Sequence, residues 1–188
     1  MAWSKVTANT SYLRSAEIPR LMQRTDAQPF GSVQIWHADE DHLQASLGRL
    51  FLLHAIGGAK HEQLSRLIQN VDSFAALAPG AFGFLFQFIG NNARPPDEAD
   101  RKLVMNMIDR YASRIAGLAV CMPSGGFVGA ALRSVVSAVF VLNRPKYPVK
   151  TFGEPREAGS WLASQMDMPV AAVATLSDFG FHRFQAPG

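Results

Sequence analysis

The sequence predicts one α/β domain built on a mixed, mostly parallel sheet of about five strands flanked by helices. Three observations point there. Phe82, Phe84, Phe86 and Phe88 recur at a spacing of two, with Leu85 and Ile89 on the opposite face. A strand apolar on both sides belongs at the centre of a sheet covered on both faces. Between residues 31 and 165, strand-like and helix-like periods alternate, as in successive βα units with right-handed crossovers. Finally, 188 residues with 48% hydrophobic content hold one ordinary core, with terminal extensions left over.

Residues 1–30, rich in Ser, Thr, Arg and Gln and carrying Pro19 and Pro29, read as an N-terminal arm. Val33 and Ile35 then alternate with polar neighbours as a half-buried strand, which Asp39-Glu40-Asp41 ends in a turn or loop. Arg49 to Ile56 is a second apolar run, closed by Gly57-Gly58, that pairs with the first as a hairpin or meander. Leu64, Leu67, Ile68 and Val71 sit at helical spacing and predict a helix from Lys60 to about Leu77, stopped by Ala78-Pro79-Gly80. The phenylalanine strand follows and ends at Gly90-Asn91-Asn92.

Pro95-Pro96-Asp97-Glu98 opens the next helix, with proline early and carboxylates where the helix dipole favours negative charge. Its apolar stripe is Leu103, Val104, Met107, Ile108 and Tyr111. Leu118 to Met122 is a short buried strand, and Ser124 caps a helix running to Leu142. Tyr147 to Phe152 is the last strand, and Glu154 to about Gln165 the last helix, with Trp161 and Leu162 facing inward. Residues 166–188 carry Phe179, Phe181 and Phe184 without clear periodicity and read as an aromatic tail beyond a domain spanning 31–165. The predicted order is β-β-α-β-α-β-α-β-α.

That order over residues 31–165 resembles the STAS domain, the module of sulfate transporters and anti-sigma-factor antagonists. The closing stretch carries the resemblance furthest: Asn143-Arg144-Pro145-Lys146-Tyr147-Pro148-Val149-Lys150-Thr151-Phe152, then Glu157-Ala158-Gly159-Ser160-Trp161-Leu162. It is similar to the short strand and last helix with which STAS-like domains end. The resemblance implies a regulatory or scaffolding module. Regulatory members carry an Asp-Ser-x-Gly type turn, phosphorylated by a partner kinase, between the third strand and second helix. The corresponding junction here reads Gly90-Asn91-Asn92-Ala93-Arg94-Pro95-Pro96-Asp97, and residues 74–110 contain no Ser, Thr or Tyr. A phosphate needs a hydroxyl to receive it, so that role does not carry over; the surface around the junction remains as a docking or ligand site.

Composition narrows the function classes. A net charge of +3 and a pI near 9.3 are mildly basic. The Lys and Arg are scattered instead of gathered on one face as nucleic-acid binding requires, so no nucleic-acid partner is expected. The single Cys121 forms no intramolecular disulfide and fits a reducing, cytoplasmic setting. The first thirty residues lack the apolar run of a signal peptide. No transmembrane segment is expected either, because the longest apolar stretch, Gly125 to Leu142, is interrupted by Arg133.

The candidate chemistry is sparse. His37, Asp39, Asp41 and His42 cluster in sequence, but their spacing matches no strong metal motif and reads as an acidic hairpin loop. Ser124, Gly125 and Gly126 lie where a strand meets a helix N-terminus and form a possible anion site, without the lysine of a P-loop. Cys121, inside a buried strand, reads as a small inert hydrophobe. His54 and His61 flank Gly57-Gly58 with no nucleophile or acid–base pair beside them in sequence. No cofactor, no metal and no catalytic constellation is predicted. One helix is anomalous: from Gly125 to Leu142 it is apolar nearly all round, where a surface helix shows a single stripe. Val135, Val136, Val139 and Phe140 are therefore candidate interface residues. The reading is a non-enzymatic module acting through a protein partner or self-association. The alternatives are a binding module for a small apolar or lipid-like ligand, and an enzyme using the His37–His42 loop or the Ser124 turn.

Overall fold

A computed structural model of the chain describes residues 31–56, 60–89, 97–122, 134 and 145–184. Those residues form β1 (Gln34–Ala38), β2 (His42–Leu47), β3 (Leu50–Ile56), α1 (His61–Leu77), β4 (Phe82–Ile89), α2 (Glu98–Arg110), β5 (Ile115–Cys121), β6 (Val149–Phe152), α3 (Pro155–Met166) and α4 (Val170–Phe184). The six strands make one sheet whose spatial order follows the chain. β1, β2 and β3 are an antiparallel meander, and β3 through β6 are parallel. The α/β class, the mixed and mostly parallel sheet and the central place of Phe82–Ile89 are as predicted.

Alternation along the central strands sorts the interior into two cores. Phe51, Phe82, Phe84 and Phe86 face α1 and α2, where they meet Leu67, Val71, Phe74, Met107 and Ile108. Their rings pack in tilted and edge-on pairs with centroids 5.2 to 6.0 Å apart, the separations aromatic quadrupoles favour. On the other face Leu43, Leu50, Leu52, Leu85 and Ala119 meet Leu162, Met166, Ala172, Val173 and Leu176 of α3 and α4. Gly83 lets α3 lie close to the sheet, since a Cβ there would collide with Met166 Sδ.

Two elements correct the sequence reading. Among the described residues the sheet has six strands where the sequence predicts about five: His42–Leu47, whose first residue reads as part of an acidic loop and whose remainder is assigned to no element, is a fully buried strand. Most of the segment read as an aperiodic tail is α4, whose Ala172, Val173 and Leu176 are wholly buried. The helix predicted from Ser124 to Leu142 lies outside the described residues, apart from Ser134.

The end of the sheet where the parallel strands begin, its amino edge, is closed by two arginines. Arg114 donates to the carbonyls of Ala75 (2.8 Å), Ala78 (2.7 Å) and Gly80 (3.0 Å), and its guanidinium lies 5.0 Å from the Phe82 ring centre. Arg49 donates to Ala81 O (3.1 Å) and Met166 O (2.9 Å). The last carbonyls of a helix lack partners within it, and here the side chain of Arg114 supplies them for α1.

Candidate functional site at the carboxyl edge

The opposite end of the sheet carries its own set of hydrogen-bonded polar side chains. β2 is antiparallel to β3, with His42 opposite Ala55. The β1–β2 turn therefore lies beside the ends of β3, β4 and β5 and the starts of α1 and α2. In open α/β sheets this carboxyl edge is where ligands bind.

Asp39 organises the turn. Its Oδ1 accepts the backbone N–H groups of Asp41 (2.9 Å) and His42 (2.7 Å). Its Oδ2 takes His37 Nε2 (2.9 Å) and Gln63 Nε2 of α1 (3.3 Å), and Arg66 Nη1 reaches the His37 ring at 3.2 and 3.3 Å. Partial burial pushes the Asp39 carboxyl upward, but these hydrogen bonds outweigh it and hold the group well below the usual carboxylate range. An ionised carboxylate offers about four acceptor positions, and all are taken. Of the residues considered as metal ligands, His37 and Asp39 thus bind each other, and His42 Nδ1 stands 3.9 Å from Asp39 Oδ1. Among the described residues no group of three or more His, Cys, Asp or Glu side chains is arranged to hold a metal ion.

Period-two alternation turns His42, Gln44 and Ser46 toward α1, while Leu43, Ala45 and Leu47 enter the other core. All three polar side chains are buried. Trp36 Nε1 donates to Ser46 Oγ (2.9 Å) and Asn70 Nδ2 to Gln44 Oε1 (2.7 Å). His42 is 1% exposed, and neither ring nitrogen hydrogen-bonds another protein group; Gln44 Nε2 is likewise unbonded. Burial holds the His42 ring below its ordinary pKa, against the pull of Asp39 and Asp41.

On the opposite face His54, Gln87 and Cys121 stand in one row across adjacent strands. Gln87 Oε1 meets His54 Nδ1 at 3.0 Å, and Gln87 Nε2 donates to Ser177 Oγ of α4 at 2.6 Å. The Phe181 ring stands edge-on to His54 with centroids 5.0 Å apart. A Cβ at Gly180 would lie 2.8 Å from His54 Nδ1, so α4 seats here because this residue has no side chain. Burial lowers the His54 pKa, partly offset by its bond to Gln87. Burial, then Glu154 and Glu157, push the Cys121 thiol up to about 12. A thiol so shifted is a poor nucleophile at neutral pH, in keeping with an inert buried cysteine.

His61, at the start of α1, bonds Asp100 Oδ1 at 2.8 Å and ties the two helix starts together. Asp97 caps α2 by accepting the Asp100 N–H (2.9 Å). The sequence reading saw no partners for His54 and His61 because Gln87, Ser177 and Asp100 come from distant segments. The available signal was a glutamine and a histidine inside otherwise apolar strands. The predicted anion site (Ser124, Gly125, Gly126) and interface residues (Val135, Val136, Val139, Phe140) lie outside the described residues.

Fold and site together define an α/β domain with both sheet faces covered and a set of hydrogen-bonded polar side chains at the carboxyl edge. No family model matches the chain, and no curated protein matches it. Among solved structures it is similar to an uncharacterised DUF3478-family protein with a SpoIIAA-like fold from Shewanella loihica PV-4. The identity is 13% and the TM-score 0.45, over 70% of this chain and 92% of that one. Among the described residues no helix is long and apolar enough to cross a membrane.

Proposed function

We propose that this chain is a non-enzymatic regulatory or scaffolding module that acts by protein–protein association at the carboxyl edge of its sheet. The observation that carries this reading is how the polar groups there are engaged. Asp39 is saturated by four donors. His54 and Ser177 are joined through Gln87, and Cys121 is held as a thiol. These groups bind one another and build an edge, instead of converging on a reacting atom. Exposed around them are Ile56, Lys60, His61, Glu62, Asp97 and Glu98, a mixed apolar and charged rim of the kind that surrounds interfaces. The segment after β5, residues 125–142, adds the apolar sequence that association calls for. A buried, unreactive thiol suits a reducing cytoplasm.

Replacing Val136 and Phe140 with Asp tests the reading, with sedimentation and circular dichroism read together. A folded protein that has lost its self-association, or its partner, is the expected result. Unfolding would assign those side chains to the chain's own core. A wild type that stays monomeric at high concentration and recovers no partner from its native cell would overturn association. A small apolar molecule retained in native mass spectrometry would favour the ligand-binding alternative instead.

A further inference from the structure

His42 poses a physical question that association does not answer. A buried polar group without a hydrogen bond costs stability, and here neither nitrogen of one buried ring bonds another protein group. A neutral imidazole tolerates this surrounding far better than an imidazolium, whose two N–H donors would both lack acceptors. The ring lies beside two pieces of the carboxyl edge. It follows the Asp39 turn directly, and that turn is tied to the start of α1 through Gln63. We propose that the β1–β2 turn and the first turns of α1 form an acid-labile latch, closed while the His42 ring is neutral and opened when it takes a proton.

Charged groups act on the His42 ring from the turn, from β1 and from the residue before α1. Asp39 and Asp41 in the turn favour the charged ring; His37 of β1 and Lys60 before α1 oppose it, and burial opposes it most. Asp39 cannot rescue the proton by direct bonding without moving, because its acceptor positions are full and it stands 3.9 Å away. Free of the fold, a histidine titrates near 6.5. Between that value and the lower one of the closed form, only the open form binds the proton. The opening constant therefore rises as pH falls below about 6.5, by up to about tenfold per pH unit. Histidine is the side chain suited to such a change near neutrality. The consequence is local: the latch frees the start of α1 while the arginine-bound amino edge stays closed.

The experiment is residue-resolved amide exchange on the full chain from pH 7 to pH 5, corrected for intrinsic rates, with the His42 ring followed by NMR. The expected result is faster opening at residues 42–44 and 61–66, approaching tenfold per pH unit, with β4 and α2 unchanged. His42→Leu should abolish that dependence; His42→Gln, which cannot titrate here, is the second variant should the first fail to fold. Acid opening of α4 above His54 is a separate event, on the other face, and should persist in both variants. A His42 ring that titrates at 6.5 in the closed protein, or an unchanged acid dependence in either folded variant, would overturn the latch. The ring titration needs only the wild type and decides even if neither variant folds.

Discussion

The two ends of one sheet are held in different ways. At the amino edge, Arg49 and Arg114 reach backbone carbonyls whose positions are set by the chain itself. At the carboxyl edge, side chains hold side chains: Asp39 with His37 and Gln63, Gln87 with His54 and Ser177, His61 with Asp100. The same fold thus has one end fixed by side chains on backbone and one end fixed by side chains on one another, and the second is where the parallel strands finish.

Removing a link from each end measures the contrast. The largest expected effect is at the amino edge. Arg114→Ala leaves three carbonyls at the end of α1 without their donor and should lower stability by about 2–3 kcal/mol in denaturant titration, since a bond to a charged donor is worth roughly 1.5–3 kcal/mol. Gly180→Val forces α4 away from His54 and Leu52 and should cost about 1–3 kcal/mol, the usual range for overpacking, with loss of protection confined to α4. Ser177→Ala strands a buried Gln87 donor and should cost about 1–2 kcal/mol. Smallest is Arg110→Ala: its ion pair with Asp72 is exposed, and Tyr111 still donates to that carboxylate at 2.6 Å. About 0.5 kcal/mol is expected. A Ser177→Ala loss larger than that of Arg114→Ala would reverse the comparison.

Acid adds a second axis. His42 and His54 are both held below their ordinary pKa by burial, so each contributes stability that is complete above about pH 6.5 and declines as pH falls through that value. Asp39 acts lower: its depressed carboxyl stabilises the fold above about pH 4 and loses that contribution only below it. Global unfolding followed from pH 7 to pH 3 should therefore show two declines, with the upper one reduced by replacing either histidine.

What the sequence revealed and what it concealed divide along the same physical line. The phenylalanine strand, α1 and α2 were legible because large apolar side chains at regular spacing mark both the element and its buried face. β2 was concealed although His42 to Leu47 alternates strictly, because its polar set reads as solvent-facing and is in fact roofed by α1. The acidic Asp39–Asp41 beside it strengthened the impression of a loop. α4 was concealed for the opposite reason. Its contacts rest on Ala172, Val173, Leu176 and the bare Gly180, small residues that weigh little in a hydrophobic pattern, while Phe179 and Phe181 drew attention to a different spacing. The polar links at the carboxyl edge, which join residues 33 and 90 positions apart, exist only once the sheet has formed.

We propose the carboxyl edge as the working surface and the amino edge as the structural one. Backbone NMR shifts recorded over a concentration series of the wild type, and again with any partner recovered from its native cell, test it most directly. The account predicts shifts that change at Ile56, Lys60, His61, Glu62, Asp97 and Glu98, with Leu77, Gly80, Arg114 and Val170 still. Changes centred on the second group, with the first unmoved, would contradict it.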